Sequence, residues 1–377
     1  MGKNIIGYDA KRIVRNGTGL GSYGRTLVND LSHFQDLELR LYAPDQGQAD
    51  LRSQIVERPN VTFCYAGRHG LGAAWWRMSS IVNDLHRDGV KLYHGLSGEL
   101  PLGIRKSGIR SVVTIHDLIF LRHPEFYHWA DTKIYAWKFR QTLKEADHII
   151  AISACTKRDI IELGGVDEQK ISLIYQSCAP RFTTDVAPRL QEEVLQHYHL
   201  PKRFILSVGS IETRKNILLA VKALPLLPDD MSLVIIGRIT KYADLVRQYA
   251  KSQGLSHRML MLHGVPDSHL PAFYALAESF VYPSVYEGFG IPIIEAISCG
   301  LPVVACTGSC LEEAGGPDCQ YVAPDDVEGM ADAIRRSIKG SSERESRILR
   351  SQEYIRRFEG SNVAGQVMSI YQKLLGL

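Results

Sequence analysis

The stretch of sequence that decides the fold runs from Tyr282 to Val304 and reads YPSVYEGFGIPIIEAISCGLPVV. The residues before Pro283 are β-prone, and proline cannot donate to a sheet ladder, so a strand ends there. Pro292 suits the first turn of a helix, where its missing N–H costs nothing, and the Gly-Leu-Pro sequence further on ends that helix. The stretch therefore predicts a strand, a turn, a helix and a second strand.

Two carboxylates, Glu287 and Glu295, lie eight positions apart within this stretch. Between them, Gly288 and Gly290 permit unusual backbone angles and a close approach of the backbone to a ligand. Carboxylates only accept hydrogen bonds and suit sugar and ribose hydroxyls, whereas the free N–H groups of a helix start suit negative or hydroxyl oxygens. The alternative is a surface turn with two solvated glutamates. The placement of glycine and proline favours a binding site.

The segment EGFGIPIIEAISCGLPVV closely resembles the E-x7-E signature of the retaining family 4 glycosyltransferases, which have the GT-B fold. This resemblance implies that Glu295 holds the ribose of a sugar nucleotide and that Glu287 contacts the donor sugar. It also implies transfer of a hexose to an acceptor hydroxyl with retention of the α configuration.

Length and composition set limits on the remaining possibilities. A chain of 377 residues is too long for one ordinary core and suggests two domains. The formal net charge of +3 is too small to indicate a nucleic-acid partner. Seven cysteines without a CxxC pair, and an N-terminus that opens directly into a strand, favour reduced thiols in the cytoplasm. No apolar run approaches the roughly 18 residues of a membrane span, so we expect at most contact with the inner face of the cell membrane.

Strand-like segments alternate with helical segments along the whole chain, which predicts an α/β protein with parallel sheets. In the first half the expected strands are 5–8, 39–43, 61–65, 92–94, 112–116 and 149–153, and in the second half 204–208, 233–236, 259–262, 280–282, 303–305 and 321–323. Together with the resemblance, this predicts GT-B: two Rossmann-like, doubly wound domains facing across a cleft. We expect an acceptor-binding domain at 1–180 and a nucleotide-sugar-binding domain at 181–360, with a helix at about 361–377 packing back on the first.

A glycine-rich segment lies between Gly17 and Gly24 and contains a formal GxGxxG pattern. In a dinucleotide-binding fold the glycines follow the first strand at once, and here residues 9–16 intervene, so a nicotinamide site is disfavoured. The alternatives are a plain connector and a flexible loop over a diphosphate or acceptor. Similar loops of family 4 enzymes imply the second, with Gly19 and Gly21 against the donor.

His116 follows an apolar strand in the sequence Thr-Ile-His-Asp, at the edge of the sheet where ligands gather. A lone histidine at such a place is more often structural. The resemblance implies a position beside the reacting sugar, where we expect His116 to donate a hydrogen bond to donor or acceptor. The phrase HDLIFLRHPEFY also resembles a subgroup rich in mannosyl- and related hexosyltransferases.

Two adjacent cations, Arg214 and Lys215, follow the first strand of the second half. Arginine can hold phosphate oxygens with two parallel hydrogen bonds, and lysine adds a compact charge. Exposed basic pairs are usually only solvated, but this pair stands at the carboxyl end of a strand. It also resembles the Arg-Lys-Asn segment of family 4, which implies binding of the donor diphosphate and stabilisation of the departing charge. No D-x-D cluster is present, so we expect no metal and no other cofactor.

The resemblance implies that the loops after two further strands bind the nucleotide base, through backbone groups near Arg238 and Val265. The expected catalytic residues are His116, Arg214, Lys215 and Glu287. The expected donor-binding residues are Gly19, Gly21, Ser210, Arg214, Lys215, Arg238, Val265, Glu287, Gly288, Phe289, Gly290, Ile291 and Glu295.

The sequence RHGLGAAWWRM places Trp75 and Trp76 beside basic residues. One interpretation is core packing of at least one tryptophan. The other is an interfacial patch on anionic lipid, with a tryptophan at the depth of the headgroups.

These observations predict a hexosyltransferase with GDP-mannose as the first choice of donor and a polysaccharide or lipid-linked glycan as acceptor. UDP-hexoses and UDP-N-acetylhexosamines remain alternative donors. A nucleotide-sugar epimerase and a non-catalytic sugar-nucleotide-binding protein are the alternatives from other classes.

Overall fold

The computed structural model of the chain describes residues 4–183, 185–358 and 362–377. Within these residues every strand belongs to one of two parallel sheets. The strands are β1 Asn4–Asp9, β2 Leu37–Ala43, β3 Val61–Tyr65, β4 Leu92–Gly95, β5 Arg110–Ile115, β6 His148–Ala151, β7 Ile171–Leu173, β8 Arg203–Val208, β9 Met231–Ile236, β10 Met259–Leu262, β11 Ser279–Tyr282, β12 Val303–Cys306 and β13 Gln320–Val322.

The α-helices connect and cover the strands. They are α1 Lys11–Arg15, α2 Gly19–Leu31, α3 Ala49–Arg52, α4 Gly70–Trp75, α5 Ile81–Arg87, α6 Ile119–Arg122, α7 Trp129–Glu145, α8 Ala154–Gly164, α9 Pro188–His197, α10 Ile217–Ala223, α11 Lys241–Ser252, α12 Leu270–Leu276, α13 Ile291–Ser298, α14 Leu311–Gly315, α15 Val327–Arg335, α16 Arg344–Ile355 and α17 Val363–Leu375. A π-helical turn, Trp76–Ser80, joins α4 to α5.

The chain divides into two compact units. The first unit comprises Met1–Tyr175 and Asn362–Leu377, and the second unit comprises Gln176–Ser361. The first division thus falls a few residues before the expected one at 180, because the segment after Tyr175 packs into the second unit: Phe182 is buried there against Tyr274. The second expected division, at 360, lies outside the described residues.

Each unit has the doubly wound strand order of a Rossmann-like domain. Among the described residues, the first unit has the order β3-β2-β1-β4-β5-β6-β7, and the second has β10-β9-β8-β11-β12-β13. The predicted α/β class and the twelve predicted strands are confirmed, with ends that differ by at most two residues. In such sheets a ligand binds outside the carboxyl ends of the strands where the order reverses. That point lies between β1 and β4 in the first unit and between β8 and β11 in the second.

The glycine-rich segment is a helix, so the expectation of a flexible loop is wrong. Helix α2 begins at Gly19, and the Asn16 side chain accepts hydrogen bonds from the N–H groups of Thr18 (2.9 Å) and Gly21 (3.2 Å). A Cβ atom on Gly21 would lie 1.8 Å from the carbonyl oxygen of Asn16. This glycine therefore serves the close packing of α2 on the preceding turn.

The final helix, α17, completes the core of the first unit. Val367, Met368 and Tyr371 are buried among side chains of α2 and the first sheet. The Tyr371 hydroxyl lies 2.6 Å from Nδ1 of His94 at the end of β4. The expected start of this helix, at about residue 361, lies outside the described residues.

The paired tryptophans have different environments. Trp76 is buried, with its indole N–H donating to Asp84 over 2.7 Å. Trp75 is 59% exposed, and Leu71, one helical turn earlier on α4, is 91% exposed. Only Trp75 of the pair can therefore meet a surface outside the protein.

Candidate active site

Two loops meet at the point where the strand order of the second unit reverses. The loop after β8 carries Arg214 and Lys215, and the loop after the neighbouring strand β11 carries Glu287. A backbone hydrogen bond from the N–H of Val285 to the carbonyl of Arg214 joins the loops over 2.8 Å. Parallel pairing of the two strands is thus what brings residues far apart in sequence to one place.

The two cations and the first glutamate form a compact ion cluster. Lys215 Nζ lies 2.5 Å from one oxygen of Glu287, and Arg214 Nη1 lies 2.9 Å from the other. Lys215 also donates to the hydroxyl of Tyr282 over 2.6 Å. The side chains of Lys215 and Glu287 are 13% and 10% exposed. One carboxylate and two cations leave this cluster with a net positive charge.

Burial and charge act against each other in the cluster. Burial alone would raise the pKa of Glu287, but the charges of Lys215 and Arg214 outweigh it and lower the pKa to about 2. Burial lowers the pKa of Lys215, and Glu287 offsets part of this effect. Each ion therefore stabilises the charged form of the other, and Glu287 is an acceptor of hydrogen bonds at neutral pH.

Glu212 extends the cluster toward Arg238, in the loop after β9. Its carboxylate accepts a hydrogen bond from Arg238 over 2.7 Å and lies 3.4 Å from Nε of Arg214. Ser210, between β8 and this glutamate, lies in the same small recess as Lys215. The loop after β9 approaches the loop after β8 closely, because its first residue is a glycine. A Cβ on Gly237 would lie 1.8 Å from the carbonyl oxygen of Gly209.

The turn between β11 and α13 is fixed by a buried thiol. Cys310 donates to the carbonyl oxygens of Glu287 (3.1 Å) and Phe289 (2.7 Å). The Phe289 ring is buried against Phe358, so this residue can offer a ligand only its backbone. Gly290 has φ +121°, a conformation that L side chains rarely adopt.

Next along the chain, the half-buried Ile291 begins helix α13 immediately after Gly290, with Pro292 in its first turn as predicted. The half-buried Gly288 completes the turn. Val265 is also half-buried, in the loop after β10.

Glu295 has a different environment from Glu287. It lies in α13, and Tyr274 donates to its carboxylate over 3.0 Å. Burial raises the pKa of Glu295 to about 7, an effect that Tyr274 and the more distant Arg181 only partly oppose. Within the described residues, no ion pair of Glu295 is found. The carboxyl group of Glu295 therefore changes between its neutral and its ionised form near physiological pH.

The remaining predicted site residues belong to the first unit. Gly19 and Gly21 lie in the first turn of α2. His116 follows β5, and its Nε2 lies 2.9 Å from the carbonyl oxygen of Leu96. Because a carbonyl only accepts, Nε2 carries the proton, and burial lowers the pKa of His116 to about 4. The ring is neutral, with Nε2 donating to Leu96 and Nδ1 as an acceptor, and the expected hydrogen bond from His116 to a donor or acceptor stays a prediction.

The structure thus brings together Arg214, Lys215 and Glu287, with Glu212, Tyr282 and Cys310 as contacts that the sequence analysis missed. From the sequence, Tyr282 is only a strand residue and Cys310 only a loop residue. Their contacts with Lys215 and Glu287 depend on how the strands pair, which the sequence does not show. Glu212 had a usable signal, since it stands two residues before a basic pair at a strand end.

Comparisons with known proteins show the family of the chain. The profile Glycosyltransferase Family 4 matches residues 17–177, and the profile Glycosyl transferases group 1 matches residues 193–353. The O-antigen chain mannosyltransferase B of Escherichia coli is 31% identical over 380 residues, covering 95% of this chain and 96% of that protein. The chain belongs to the family 4 glycosyltransferases. The resemblance drawn from the E-x7-E segment is therefore confirmed.

Solved structures support the fold of this glycosyltransferase. A glycosyltransferase from Rickettsia africae has a TM-score of 0.78 at 17% identity and covers 100% of this chain and 99% of its own. The Anabaena protein HepE, solved in complex with UDP and glucose, has a TM-score of 0.74 at 16% identity, covering 98% of this chain and 99% of its own. The predicted GT-B fold, with two Rossmann-like units, is confirmed.

Two features are absent from the described residues of this glycosyltransferase. In the described part of the chain, no helix is both long enough and apolar enough to cross a membrane. Over the same residues, no cluster of three or more histidine, cysteine, aspartate or glutamate side chains could hold a metal ion.

Proposed function

We propose that this glycosyltransferase moves a hexose from a nucleoside diphosphate sugar to a hydroxyl of a polysaccharide or lipid-linked glycan, with retention of configuration. The observation that carries the proposal is the cluster of Arg214, Lys215 and Glu287 where the strand order of the second unit reverses. This cluster combines a net positive charge for a diphosphate with a carboxylate that accepts from sugar hydroxyls.

The cations act on the charge that develops as the bond to the sugar breaks. Arg214 has five N–H donors, of which Nη1 and Nε face carboxylates, so the fork retains donors for phosphate oxygens. Lys215 is held in a buried place by Glu287 and Tyr282, and a fixed charge in a desolvated site stabilises a developing negative charge more than a mobile one in water. Glu295 accepts from the ribose hydroxyls. The departing phosphate takes the proton of the attacking hydroxyl.

No metal takes part in the proposed reaction, because Arg214 and Lys215 supply the positive charge at the diphosphate. Treatment with EDTA, followed by gel filtration, is expected to leave transfer unchanged. A loss of transfer that Mg²⁺ or Mn²⁺ restores would contradict this part of the proposal.

The proposed donor is GDP-mannose. The support is the similarity to an enzyme named as an O-antigen mannosyltransferase and the segment HDLIFLRHPEFY. The alternatives are UDP-hexoses and UDP-N-acetylhexosamines, and HepE, which has a similar fold, was solved with UDP and glucose.

Thermal-shift screening with GDP, UDP and their sugars, followed by product analysis, tests the donor and the reaction class. We expect stabilisation by GDP and GDP-mannose, slow hydrolysis of the donor without acceptor, and an α-linked product by proton NMR. Conversion of the donor into an isomer without acceptor indicates an epimerase. Binding without any turnover indicates a binding protein, and an inverted linkage contradicts retention.

We also propose that the first unit contacts anionic membranes through α4. The exposed Leu71 and Trp75 lie on one face of this helix, directly after the basic residues Arg68 and His69. Such a combination suits the boundary between headgroups and acyl chains. Co-sedimentation with vesicles containing phosphatidylglycerol is expected for the unchanged protein and reduced for Leu71→Ala/Trp75→Ala.

A matched control for vesicle binding is Leu349→Ala, which removes a similarly exposed leucine from the second unit. It is expected to bind vesicles like the unchanged protein. Equal binding by all three proteins, or binding by none, would contradict membrane contact through α4.

A further inference from the structure

A third carboxylate, Glu212, lies beside the two cations of the second unit, in the loop after β8. Its side chain is 28% exposed, and each of its oxygens faces a different arginine. Oε1 accepts a hydrogen bond from Nη2 of Arg238 over 2.7 Å, and Oε2 lies 3.4 Å from Nε of Arg214. Glu212 thus connects the loop after β8, which carries Arg214, with the loop after β9, which carries Arg238.

Main-chain hydrogen bonds hold Glu212 itself in place. Its carbonyl accepts from the N–H of Lys215 over 2.9 Å and so closes the short helical turn Thr213–Lys215, in which both cations lie. The residue before it, Ile211, donates its N–H to the carbonyl of Arg238 over 3.0 Å. The backbone at Glu212 is therefore fixed to the cation-bearing turn on one side and to the loop after β9 on the other.

The guanidinium of Arg214 is held at two of its nitrogens. Glu287 binds Nη1 over 2.9 Å, and Glu212 lies 3.4 Å from Nε. A guanidinium is planar, so contacts at two nitrogens fix the directions in which its remaining N–H groups point. These remaining groups are the donors available for phosphate oxygens. With Glu287 alone, the guanidinium keeps rotational freedom about a single contact.

Glu212 is ionised at neutral pH. Burial acts to raise its pKa, but a contact with Ser210 and the charges of Arg214 and Arg238 outweigh this effect, so the pKa lies below its usual value. The carboxylate therefore carries a negative charge close to the place that the proposed function assigns to a diphosphate. Like charges repel, so a carboxylate at this position opposes diphosphate binding unless it acts through the arginines.

The alternative role of Glu212 is to stabilise the fold. Arg238 is 70% exposed, and an ion pair with so exposed a partner adds little to stability. The loops after β8 and β9 are also joined by the backbone hydrogen bond between Ile211 and Arg238, which does not depend on the side chain of Glu212. Variants of Glu212 are therefore expected to fold, so that their effect on ligand binding can be measured.

We propose that Glu212 is a positioning residue, which holds the guanidinium of Arg214 in the orientation that binds the diphosphate of the donor. Arg238 anchors Glu212 from the opposite side, so that two arginines and one carboxylate form a chain that ends at the diphosphate. Glu212 itself does not touch the donor. The inference rests on the proposed function, because it requires a diphosphate beside Arg214.

Calorimetric titration with a nucleoside monophosphate and the matching diphosphate isolates the effect. The probes are GMP and GDP, or UMP and UDP if the uridine nucleotide binds more tightly. The Kd of the monophosphate divided by the Kd of the diphosphate, called the phosphate ratio below, measures what the second phosphate adds to affinity. Glu212→Ala is expected to lower this ratio about tenfold, the effect of misplacing a charge-assisted contact, with a change of less than about twofold in the Kd of the monophosphate. If only the negative charge of Glu212 mattered, the ratio would rise instead, because repulsion is removed.

Glu212→Gln separates geometry from charge. Glutamine keeps one oxygen that accepts a hydrogen bond from an arginine but carries no charge. Positioning predicts a smaller fall of the phosphate ratio than in Glu212→Ala, about threefold, whereas loss of charge alone predicts the same rise in both variants. The control is Glu353→Ala, which removes the exposed carboxylate partner of Arg356 in the same unit and is expected to leave the ratio unchanged.

A double variant shows whether Glu212 acts through Arg214. Residues that act as one unit give effects that do not add. Glu212→Ala is therefore expected to change the phosphate ratio by less than about twofold when Arg214→Ala is already present. Transfer kinetics follow the same pattern: kcat falls about tenfold in Glu212→Ala, and it is no lower in the double variant than in Arg214→Ala.

Two outcomes overturn the inference: a phosphate ratio that is unchanged or raised in both Glu212 variants, or effects of Glu212→Ala and Arg214→Ala that multiply in the double variant. Failure of the unchanged protein to bind any nucleoside diphosphate overturns the proposed function together with this inference. Tight diphosphate binding with the same ratio in the variants overturns the inference alone. A lowered ratio in a protein that transfers no sugar supports positioning and counts against the transferase function.

Discussion

Lys215 shows at the scale of one residue how the second unit can stabilise a leaving group. Its ammonium group is removed from water, which lowers its pKa, and Glu287 at 2.5 Å keeps it charged. The same carboxylate fixes its position, so no reorganisation is needed when a diphosphate forms beside it.

We predict that Lys215→Ala mainly slows transfer. Loss of one preorganised charge at a developing oxyanion lowers kcat by about 10²–10³, while the Kd of GDP weakens less, because Arg214 remains. Steady-state kinetics and calorimetric titration with GDP measure the two effects. Lys222→Ala, at an exposed lysine of the same unit, is the control. Unchanged turnover in Lys215→Ala would remove the assigned role.

Glu295 gives the proposed donor site a dependence on pH. Because burial raises its pKa to about 7, folding favours the protonated form, and its contribution to stability falls as pH rises from about 4.5 through about 7. Ribose hydroxyls donate to a carboxylate, so binding has the opposite sign and favours the ionised form.

We therefore predict that GDP binding weakens as pH falls below about 7, by a factor approaching about tenfold per pH unit. Calorimetric titration from pH 5.5 to 8.5 measures the slope. GDP ionises in the same range, so the comparison is with Glu295→Gln, which is expected to bind more weakly and with a smaller slope. Parallel slopes in the two proteins would show that Glu295 does not bind in its ionised form.

At this scale the sequence could predict that Glu287 and Lys215 each follow the end of a strand, because a strand end, a glycine turn and a helix start fix their positions. It could not predict their mutual ion pair, which depends on the pairing of β8 with β11. The tautomer of His116 was also beyond prediction, because it is set by the carbonyl of Leu96, twenty positions away.

At the scale of an element, helix α2 contains two glycines with different structural roles. Its Gly21 allows close packing against the carbonyl oxygens of Asn16 and Arg12, whereas the Cβ position of Gly19 has no neighbour within 4 Å. A pattern of glycines does not distinguish these uses, which explains why the sequence suggested a loop.

We predict opposite effects of alanine at these two glycines. Gly21→Ala forces backbone apart and lowers the melting temperature by several degrees, corresponding to about 1–3 kcal/mol or more. Gly19→Ala is expected to be neutral or stabilising by up to about 1 kcal/mol, because alanine favours the helix. Differential scanning calorimetry compares both with the unchanged protein. Equal melting temperatures in the two variants would contradict the packing role of Gly21.

Strand β7 was not predicted from the sequence. It has only three residues, Ile171–Leu173, and lies at the edge of the first sheet beside β6. A run this short carries no readable alternation. Pairing with a neighbour, which the sequence does not display, decides that it is a strand.

At the scale of the whole molecule, the chain returns at its end to the unit in which it began. Helix α17 buries Tyr371 in the first unit, where the hydroxyl reaches Nδ1 of His94, while Thr114 lies 2.8 Å from Nε2. Burial lowers the pKa of His94 to about 3, so the ring is neutral and needs both partners.

We predict that Tyr371→Phe destabilises the first unit by about 1–3 kcal/mol, because a buried ring nitrogen of His94 loses its partner. Urea denaturation followed by tryptophan fluorescence measures this unit selectively, since all four tryptophans belong to it. Tyr65→Phe, at a partly exposed tyrosine of the same unit, is expected to change stability little. Similar stabilities for the two variants would show that the His94 contact adds nothing.

The architecture was the most predictable feature, because alternating strands and helices leave few topologies other than doubly wound sheets. The order of strands then places the sites, since each reversal defines a crevice. The ion pairs of Arg77 with Asp9 and Glu99 in the first unit escaped prediction, because these residues form no sequence motif and meet only through the fold.

The central claim is that a sugar nucleotide binds where β8 and β11 end. Hydrogen–deuterium exchange with and without GDP-mannose tests it most directly. We predict slower exchange in peptides covering residues 209–216 and 284–296, and unchanged exchange in α15 and α16 of the same unit. Slower exchange confined to other segments, with both loops unaffected at saturating ligand, would contradict the claim.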